Sequence, residues 1–292
     1  QTSRAMAQLA ARLRKNKSDA FAARRLMSVL TYREFALPLR DFRHETGVRA
    51  VDLSPDGRVL ATLSTRGMLT LWDLEKGKRS EVKAGQFWWY GMFSHLSVDY
   101  NKDGTQVVTP GGKECAAKIW DVAGEPELAV TIESPEAESD FGHAEFSPDG
   151  EKVVAITRQG MAFVWDAGSG EKLLDLETES FGQDATLVYC SFLLDGAYIV
   201  TSVGMRPTPS GPDFQWKEAG ISVWDSRTGK RVNHLVDSAY LKYGGPFFTW
   251  KETVVAHPSQ TKLTYLNAQG RLTVWDYLKG TRLDGRERHG GA

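Results

Sequence analysis

Residues 53–78 read LSPDGRVLATLSTRGMLTLWDLEKGK, and residues 146–172 repeat the pattern as FSPDGEKVVAITRQGMAFVWDAGSGEK. In both stretches, short apolar runs are separated by glycine-containing turns, which is typical of consecutive β-strands. In both, 17 residues separate the turn proline from a tryptophan, and the same distance separates Pro258 from Trp275. The sequence therefore predicts a repeated unit of short strands joined by tight turns.

A Trp-Asp pair ends a predicted strand five times, and successive tryptophans are 48, 45, 59 and 51 residues apart. The pairs are Trp72-Asp73, Trp120-Asp121, Trp165-Asp166, Trp224-Asp225 and Trp275-Asp276. A period of about 40–50 residues is the signature of a repeat architecture. A glycine usually follows the aspartate within a few residues, which predicts a hairpin into a further strand. We expect these ten residues to be structural.

On these residues, the chain resembles WD40 repeats over residues 44–289, in the style of large bacterial multidomain proteins. The resemblance implies an all-β, WD40-type β-propeller of four-stranded antiparallel blades, with five blades visible as part of a larger ring. Typical WD40 units place an aspartate in the turn between their second and third strands, where it joins a His-Ser-Trp hydrogen-bond network. Here Arg66, Gln159 and Gln269 hold that turn. We therefore expect an incomplete network and stability that depends on apolar packing around tryptophan.

Residues 1–34 have a different pattern, with two apolar stripes at helical spacing, such as Ala5, Leu9 and Leu13. They predict a helical hairpin that resembles the end of a tetratricopeptide-like array. Residues 35–292 form the predicted propeller segment, with blades ending near residues 82, 132, 176, 235 and 284. The last residues resemble the start of another blade, so we expect a fragment that is covalently continuous with further domains.

Composition limits the function classes. The net charge is −1, which argues against general attraction to nucleic acid or membranes. No apolar run approaches the length of a membrane span, and no signal peptide is seen, so we expect a cytoplasmic protein. Cys115 and Cys190 have neither disulfide nor zinc spacing, and we expect two buried thiols.

Chemistry-bearing motifs are missing from the sequence. It has no phosphate loop, no His-Glu-x-x-His pair and no nucleophile elbow. We therefore expect no catalytic, cofactor-binding or metal-binding residues, no cofactor, and no enzyme within this chain. The alternative is a propeller enzyme, a hydrolase or lyase with its site in the central channel. A third interpretation is a purely structural component of a larger assembly.

The long insertions fall into one topological class. Turns after the second strand of a unit, and connections to the next unit, share one side of antiparallel sheets, which we call the loop face. Residues 83–95, 133–143, 177–185, 205–219 and 236–250 belong there. Long loops usually carry the function, and aromatic residues are favoured in binding hot spots. The candidate partner-binding residues are Phe87, Trp88, Trp89, Tyr90, Glu136, Glu138, Phe214, Trp216, Tyr243 and Trp250.

This aromatic and acidic face predicts a non-catalytic protein-protein interaction scaffold. Its partner would be a protein or peptide segment carrying Lys or Arg. No nucleic-acid or membrane partner is expected. The chain could also be the sensing or targeting arm of a larger signalling protein.

Overall fold

The computed structural model describes residues 11–12, 15–16, 19, 22, 41–77, 79–87, 96–135, 141–157, 160–176, 185–205, 220–236, 254–257, 260–266 and 272–283. The chain divides into two compact units, Gln1–Arg43 and His44–Ala292. The helical hairpin predicted for residues 1–34 lies mostly outside the described residues and stays a prediction. No helix in the described part of the chain is both long enough and apolar enough to cross a membrane.

Within the second unit, the described residues form five four-stranded antiparallel sheets, each with its strands in chain order. Sheet 1 contains β1 (Val48–Leu53), β2 (Val59–Ser64), β3 (Met68–Asp73) and β4 (Arg79–Lys83), and sheet 2 contains β5 (Asp99–Tyr100), β6 (Gln106–Pro110), β7 (Ala116–Asp121) and β8 (Glu127–Glu133). Sheet 3 contains β9 (Phe141–Phe146), β10 (Lys152–Thr157), β11 (Ala162–Asp166) and β12 (Lys172–Asp175). Sheet 4 contains β13 (Ala185–Leu193), β14 (Tyr198–Met205), β15 (Gly220–Asp225) and β16 (Arg231–Val236), and sheet 5 contains β17 (Val254–Ala256), β18 (Lys262–Leu266), β19 (Leu272–Asp276) and β20 (Thr281–Leu283). The prediction of repeated four-stranded antiparallel sheets is confirmed.

The two faces of each sheet follow from strand alternation, because successive side chains point to opposite sides. In sheet 1, Leu60 pairs with Trp72 and Thr62 pairs with Thr70, so these four residues share one face. We call it the tryptophan face, and its reverse the opposite face. Ala61 and Leu63 lie on the opposite face and are fully buried.

The core lies between successive sheets. Four buried clusters join sheets 1 and 2, 2 and 3, 3 and 4, and 4 and 5. Each cluster contains one repeat tryptophan, namely Trp120, Trp165, Trp224 or Trp275. Because such a ring buries a large apolar area, the repeat tryptophans occupy the positions that the expected stabilisation by apolar packing requires.

The indole N–H of three repeat tryptophans donates to a threonine hydroxyl on the second strand. The pairs are Trp72 with Thr62 at 3.2 Å, Trp120 with Thr109 at 3.0 Å, and Trp224 with Thr201 at 2.8 Å. In sheet 1 the Thr62 hydroxyl also lies 3.3 Å from Nε2 of His44, so a His-Thr-Trp chain forms while Arg66 holds the turn. The threonine hydroxyl thus takes the place of the serine in the His-Ser-Trp network described for typical WD40 units.

Candidate interaction surface

Residues 84–87, near the start of the first long insertion, lie against the turns of sheets 1 and 2. The N–H of Ala84 donates to the carbonyl oxygen of Gly67 at 2.8 Å. The N–H of Lys113 donates to the carbonyl oxygen of Gln86 at 2.8 Å. The start of the insertion is therefore fixed by backbone hydrogen bonds to two different turns of the loop face.

Close backbone approach explains the glycines along this path. A Cβ atom on Gly67 would lie 1.9 Å from the carbonyl oxygen of Gly85, and one on Gly85 would lie 2.4 Å from that of Gly111. A Cβ on Gly112 would lie 2.2 Å from the carbonyl oxygen of Gln86. Gly67 and Gly112 also have φ values of +77° and +63°, which side-chain-bearing residues rarely adopt. Only glycine fits these positions without moving the backbone.

Phe87 anchors the aromatic segment. Its half-buried ring packs against the cluster between sheets 1 and 2. The ring lies beside both turns, because its Cδ1 atom would be 2.6 Å from a Cβ on Gly112 and its Cε2 atom 3.3 Å from one on Gly67. Part of the ring therefore contributes to packing. The other predicted partner-binding residues lie outside the described residues: Trp88, Trp89, Tyr90, Glu136, Glu138, Phe214, Trp216, Tyr243 and Trp250.

Three exposed positive charges adjoin residues 84–87, while the exposed Glu114 beside them pairs with Lys118. Arg66 precedes Gly67, Lys83 precedes Ala84, and the side chains of Arg66, Lys83 and Lys113 are all exposed. The ammonium group of Lys83 donates to the carbonyl oxygen of Arg66. This end of the loop face therefore differs from the acidic character that the sequence predicts for the next two insertions.

The first strands of sheets 1 to 3 each carry a carboxylate that our sequence analysis missed. Each accepts a hydrogen bond from the first strand of the next sheet: Asp52 from the Tyr100 N–H at 2.9 Å, Asp99 from the Phe146 N–H at 2.8 Å, and Glu145 from the Ser191 hydroxyl at 2.5 Å. The sequence signal was their spacing of 47 and 46 residues, which matches the repeat. These carboxylates join successive sheets.

Two further polar side chains, Ser97 just before β5 and His143 on β9, also form hydrogen bonds to the first strand of the next sheet. The Ser97 hydroxyl donates to the carbonyl oxygen of Ala144 at 2.9 Å and accepts from its N–H at 2.8 Å. Nε2 of His143 lies 3.0 Å from the carbonyl oxygen of Cys190. Burial raises the pKa of the Cys190 thiol well above its ordinary value of 9.0, so the thiol is neutral and a poor nucleophile.

The aspartates of the Trp-Asp pairs hold the hairpins that follow them. Oδ1 of Asp166 accepts from the N–H groups of Gly168 and Ser169 at 3.1 and 2.8 Å. Backbone hydrogen bonds of this kind are the largest cause that lowers the pKa of the Asp73, Asp166 and Asp225 carboxyls below 3.8. The repeated aspartate is thus explained by local structure, without a partner.

The cysteine prediction is right for one residue and wrong for the other. Cys190 is buried, but Cys115 is half-buried in the turn between β6 and β7. Its φ is +52°, which is uncommon for a residue with a side chain. Within the described ranges, no group of three or more His, Cys, Asp or Glu side chains could hold a metal ion. A catalytic site in a central channel stays an untested alternative.

Comparison with known families agrees with this geometry. Residues 37–73 match the family model described as WD domain, G-beta repeat. A chain of the crystal structure of the mitotic checkpoint complex superimposes with a TM-score of 0.57 over 82% of this chain and 65% of that chain. At 16% identity, this likeness shows the fold alone. One stretch of the chain therefore matches a WD40 repeat model, and the chain as a whole has a propeller-like, all-β architecture.

Several curated eukaryotic proteins are similar in sequence. Eukaryotic translation initiation factor 3 subunit I of Candida albicans is 27% identical over 212 residues, covering 68% of this chain and 53% of the relative. Periodic tryptophan protein 2 of Saccharomyces cerevisiae is 33% identical over 138 residues, covering 44% and 14%. The chain thus spans about half the length of the initiation-factor relatives that it matches. The bacterial style expected from the sequence stays a prediction.

Proposed function

We propose that this chain is a non-catalytic protein-interaction scaffold that binds a protein or peptide segment on its loop face. The WD40 architecture supports an interaction role. The names of the initiation-factor relatives and of the checkpoint structure also describe members of multiprotein complexes. A role as the sensing or targeting arm of a larger signalling protein belongs to the same proposal, as does the cytoplasmic location.

The observation that carries the proposal is the fixed base of the first insertion. Residues 84–87 are bonded to the turns of two sheets, and Phe87 is wedged between Gly67 and Gly112. Three further aromatic residues, Trp88-Trp89-Tyr90, follow directly in the sequence. An anchored base lowers the conformational entropy lost when a partner binds. Large aromatic residues next to such a base are suited to an interface hot spot.

The charges on the loop face favour a partner segment that is acidic at one end and basic at the other. The acidic insertions, which contain Glu133, Glu136 and Glu138, favour Lys or Arg in the partner. The exposed cations around residues 84–87 favour Asp or Glu at the opposite end of the segment, since charge complementarity steers and orients binding. We therefore expect acidic residues near the aromatic segment and basic residues beyond it.

A peptide selection tests this function and identifies the partner sequence at the same time. Random peptides displayed on phage would be selected on the immobilised full chain, and the affinities of the enriched peptides measured by fluorescence anisotropy. Replacing Trp88 and Trp89 with alanine is expected to weaken binding at least about tenfold, because two anchors are removed. Leu173→Ala is the control, since Leu173 is an exposed aliphatic residue on the fourth strand of sheet 3. Equal binding by both variants would contradict the proposal.

A further inference from the structure

The fourth strand forms one edge of each sheet, and the fourth strand of sheet 2 differs from the others. This strand, β8, has seven residues, whereas the other four fourth strands have between three and six. Of the five described fourth strands, β8 alone carries no Lys or Arg. Short length and charged side chains, lysine above all, usually keep an exposed edge from pairing with another chain. The edge of β8 therefore lacks two common protections.

The backbone of β8 has one side available for pairing. The strand pairs with β7 alone, and no backbone hydrogen bond among the described residues joins Glu127–Glu133 to any other segment. Alternate N–H and C=O groups of an edge strand point away from its neighbour and can bind an added strand. The pairing with β7 is irregular between Leu128 and Val130 and regular from Val130 to Glu133. Residues 130–133 therefore offer a regular edge.

The side chains of β8 are exposed and acidic at both ends. All of the strand except Val130 and Ile132 is exposed, and Leu128 is 50% exposed. Neither Glu127 nor Glu133 forms an ion pair or a side-chain hydrogen bond with another residue in the described part of the chain. A strand that carries a basic residue at each end would therefore supply two charge pairs that this chain does not make.

The same charges disfavour a second copy of this chain as the added strand. If two β8 strands paired antiparallel along their whole length, Glu127 of each copy would stand opposite Glu133 of the other. A parallel pairing would place identical glutamates side by side at both ends. Like charges directly opposite each other on paired strands are destabilising. The acidic ends therefore select a segment with a different sequence.

We propose that β8 binds an extended segment of another protein as a fifth strand of sheet 2, and that this segment carries Lys or Arg on both sides of a run of β-branched residues. Main-chain hydrogen bonds to residues 130–133 supply affinity, while the pairs with Glu127 and Glu133 set the register. Leu128 adds an apolar contact. Apart from Glu133, which begins the second long insertion, this edge uses no residue of the loop face. It is therefore a second binding surface beside the one proposed above.

Fluorescence anisotropy with two labelled peptides and the full chain tests strand addition. One peptide, the lysine peptide, alternates valine and threonine between two terminal lysines. The other, the proline peptide, has the same ends but two adjacent prolines at its centre. The lysine peptide is expected to bind. The proline peptide should bind at least about tenfold more weakly, because one of two adjacent N–H groups faces the neighbouring strand and proline has none.

Exchanging the charges tests the register. The double variant Glu127→Lys, Glu133→Lys should bind the lysine peptide at least about tenfold more weakly than wild type, since both attractions become repulsions. The same variant should bind a peptide with glutamate ends more tightly than wild type does. The matched control is Glu75→Lys with Glu151→Lys, which changes the net charge equally at exposed turn residues of sheets 1 and 3. The control should bind the lysine peptide as wild type does, because distant exposed charges are screened by salt.

Replacing Trp88 and Trp89 with alanine separates this edge from the loop face, and it should leave binding of the lysine peptide unchanged. Loss of binding in that variant would place the peptide on the loop face and overturn the proposal. Absent binding of the lysine peptide, equal binding of the proline peptide, or unchanged binding by the Glu127→Lys, Glu133→Lys variant would overturn it too. So would a wild-type dimer in sedimentation velocity that Leu128→Lys abolishes, because a second copy would then occupy β8.

Discussion

Sheets 1 and 3 contain the two stretches of sequence that resemble each other most, yet they hold their tryptophans differently. Trp72 is half-buried and donates to Thr62, which contacts His44. Trp165 is 1% exposed, and Ala155, which has no hydroxyl, stands at the threonine position of sheet 3.

The ring of Trp165 instead packs edge-on against two phenylalanines. Its centroid lies 5.2 Å from that of Phe141 and 5.5 Å from that of Phe163. A shared local pattern of apolar strands and glycine turns thus gives the same strands and turns in both sheets. The environment of the tryptophan is set by the neighbouring sheet, which covers Trp165 and leaves Trp72 partly open.

The largest difference in stability should appear when Trp165 and Trp72 are each replaced by alanine in separate variants. Trp165→Ala is expected to lower the free energy of unfolding by about 3–5 kcal/mol, because it opens a cavity between sheets 2 and 3. Trp72→Ala should cost about 2 kcal/mol, since its ring is already partly solvated. Urea denaturation followed by circular dichroism measures both values. Equal losses would show that the two sheets are packed alike.

Two glycine-to-alanine substitutions compare a turn that contacts residues 84–87 with a turn that has no close neighbour. Gly112→Ala should lower the free energy of unfolding by about 3 kcal/mol or more, because the new Cβ meets a carbonyl oxygen at 2.2 Å and the residue has a positive φ. Gly57→Ala is the matched control. Gly57 has a φ of +73° but no atom within 4 Å of the added Cβ, so only about 1 kcal/mol is expected.

The same denaturation measurement gives the difference between the glycine variants. If the two variants lose equal stability, residues 84–87 do not lie tightly against the turn of sheet 2. The anchored base would then no longer support the proposed function.

Removing one of the carboxylates that join the first strands of successive sheets should have an intermediate effect on stability. Asp99→Ala removes the acceptor of the partly buried Phe146 N–H, and hydrogen bonds to charged groups contribute about 1.5–3 kcal/mol. A loss of about 2 kcal/mol is expected from thermal or urea unfolding. Glu127→Ala, on the exposed start of β8, should change stability by less than about 0.5 kcal/mol. A neutral Asp99→Ala would mean that this carboxylate does not stabilise the contact between sheets 2 and 3.

The smallest effect concerns pH and the hairpin aspartates. Their pKa is lowered in the folded protein relative to 3.8, the ordinary value expected in the unfolded chain. The stabilisation is therefore present above pH 3.8 and is lost as pH falls through the folded pKa. Asp166→Asn should be less stable than wild type near neutral pH, and this difference should shrink below pH 3.8. A difference that grows on acidification would reverse the sign of this linkage.

Much of the fold could be predicted from the chain alone, but the candidate site could be predicted only in part. The alternation of apolar and polar residues around Val59–Ser64 and the positions of the turn glycines predicted the strands correctly, because both depend on residues close in sequence. Asp52, Asp99 and Glu145 were missed because their hydrogen-bond partners lie 46 to 48 residues away. Phe87 was predicted to contact a partner, while its packing between two glycine turns needed the positions of both turns.

The sequence by itself determined the repeated unit: strands by alternation, turns by proline and glycine, and hairpins by the aspartate that follows each tryptophan. These features are local, since each depends on residues a few positions apart. The tertiary structure alone decided which surfaces are covered. Val51 and Val98 stand at the same position of their repeats, but only Val98 is buried, because sheet 1 packs against the tryptophan face of sheet 2 while no described sheet packs against that of sheet 1.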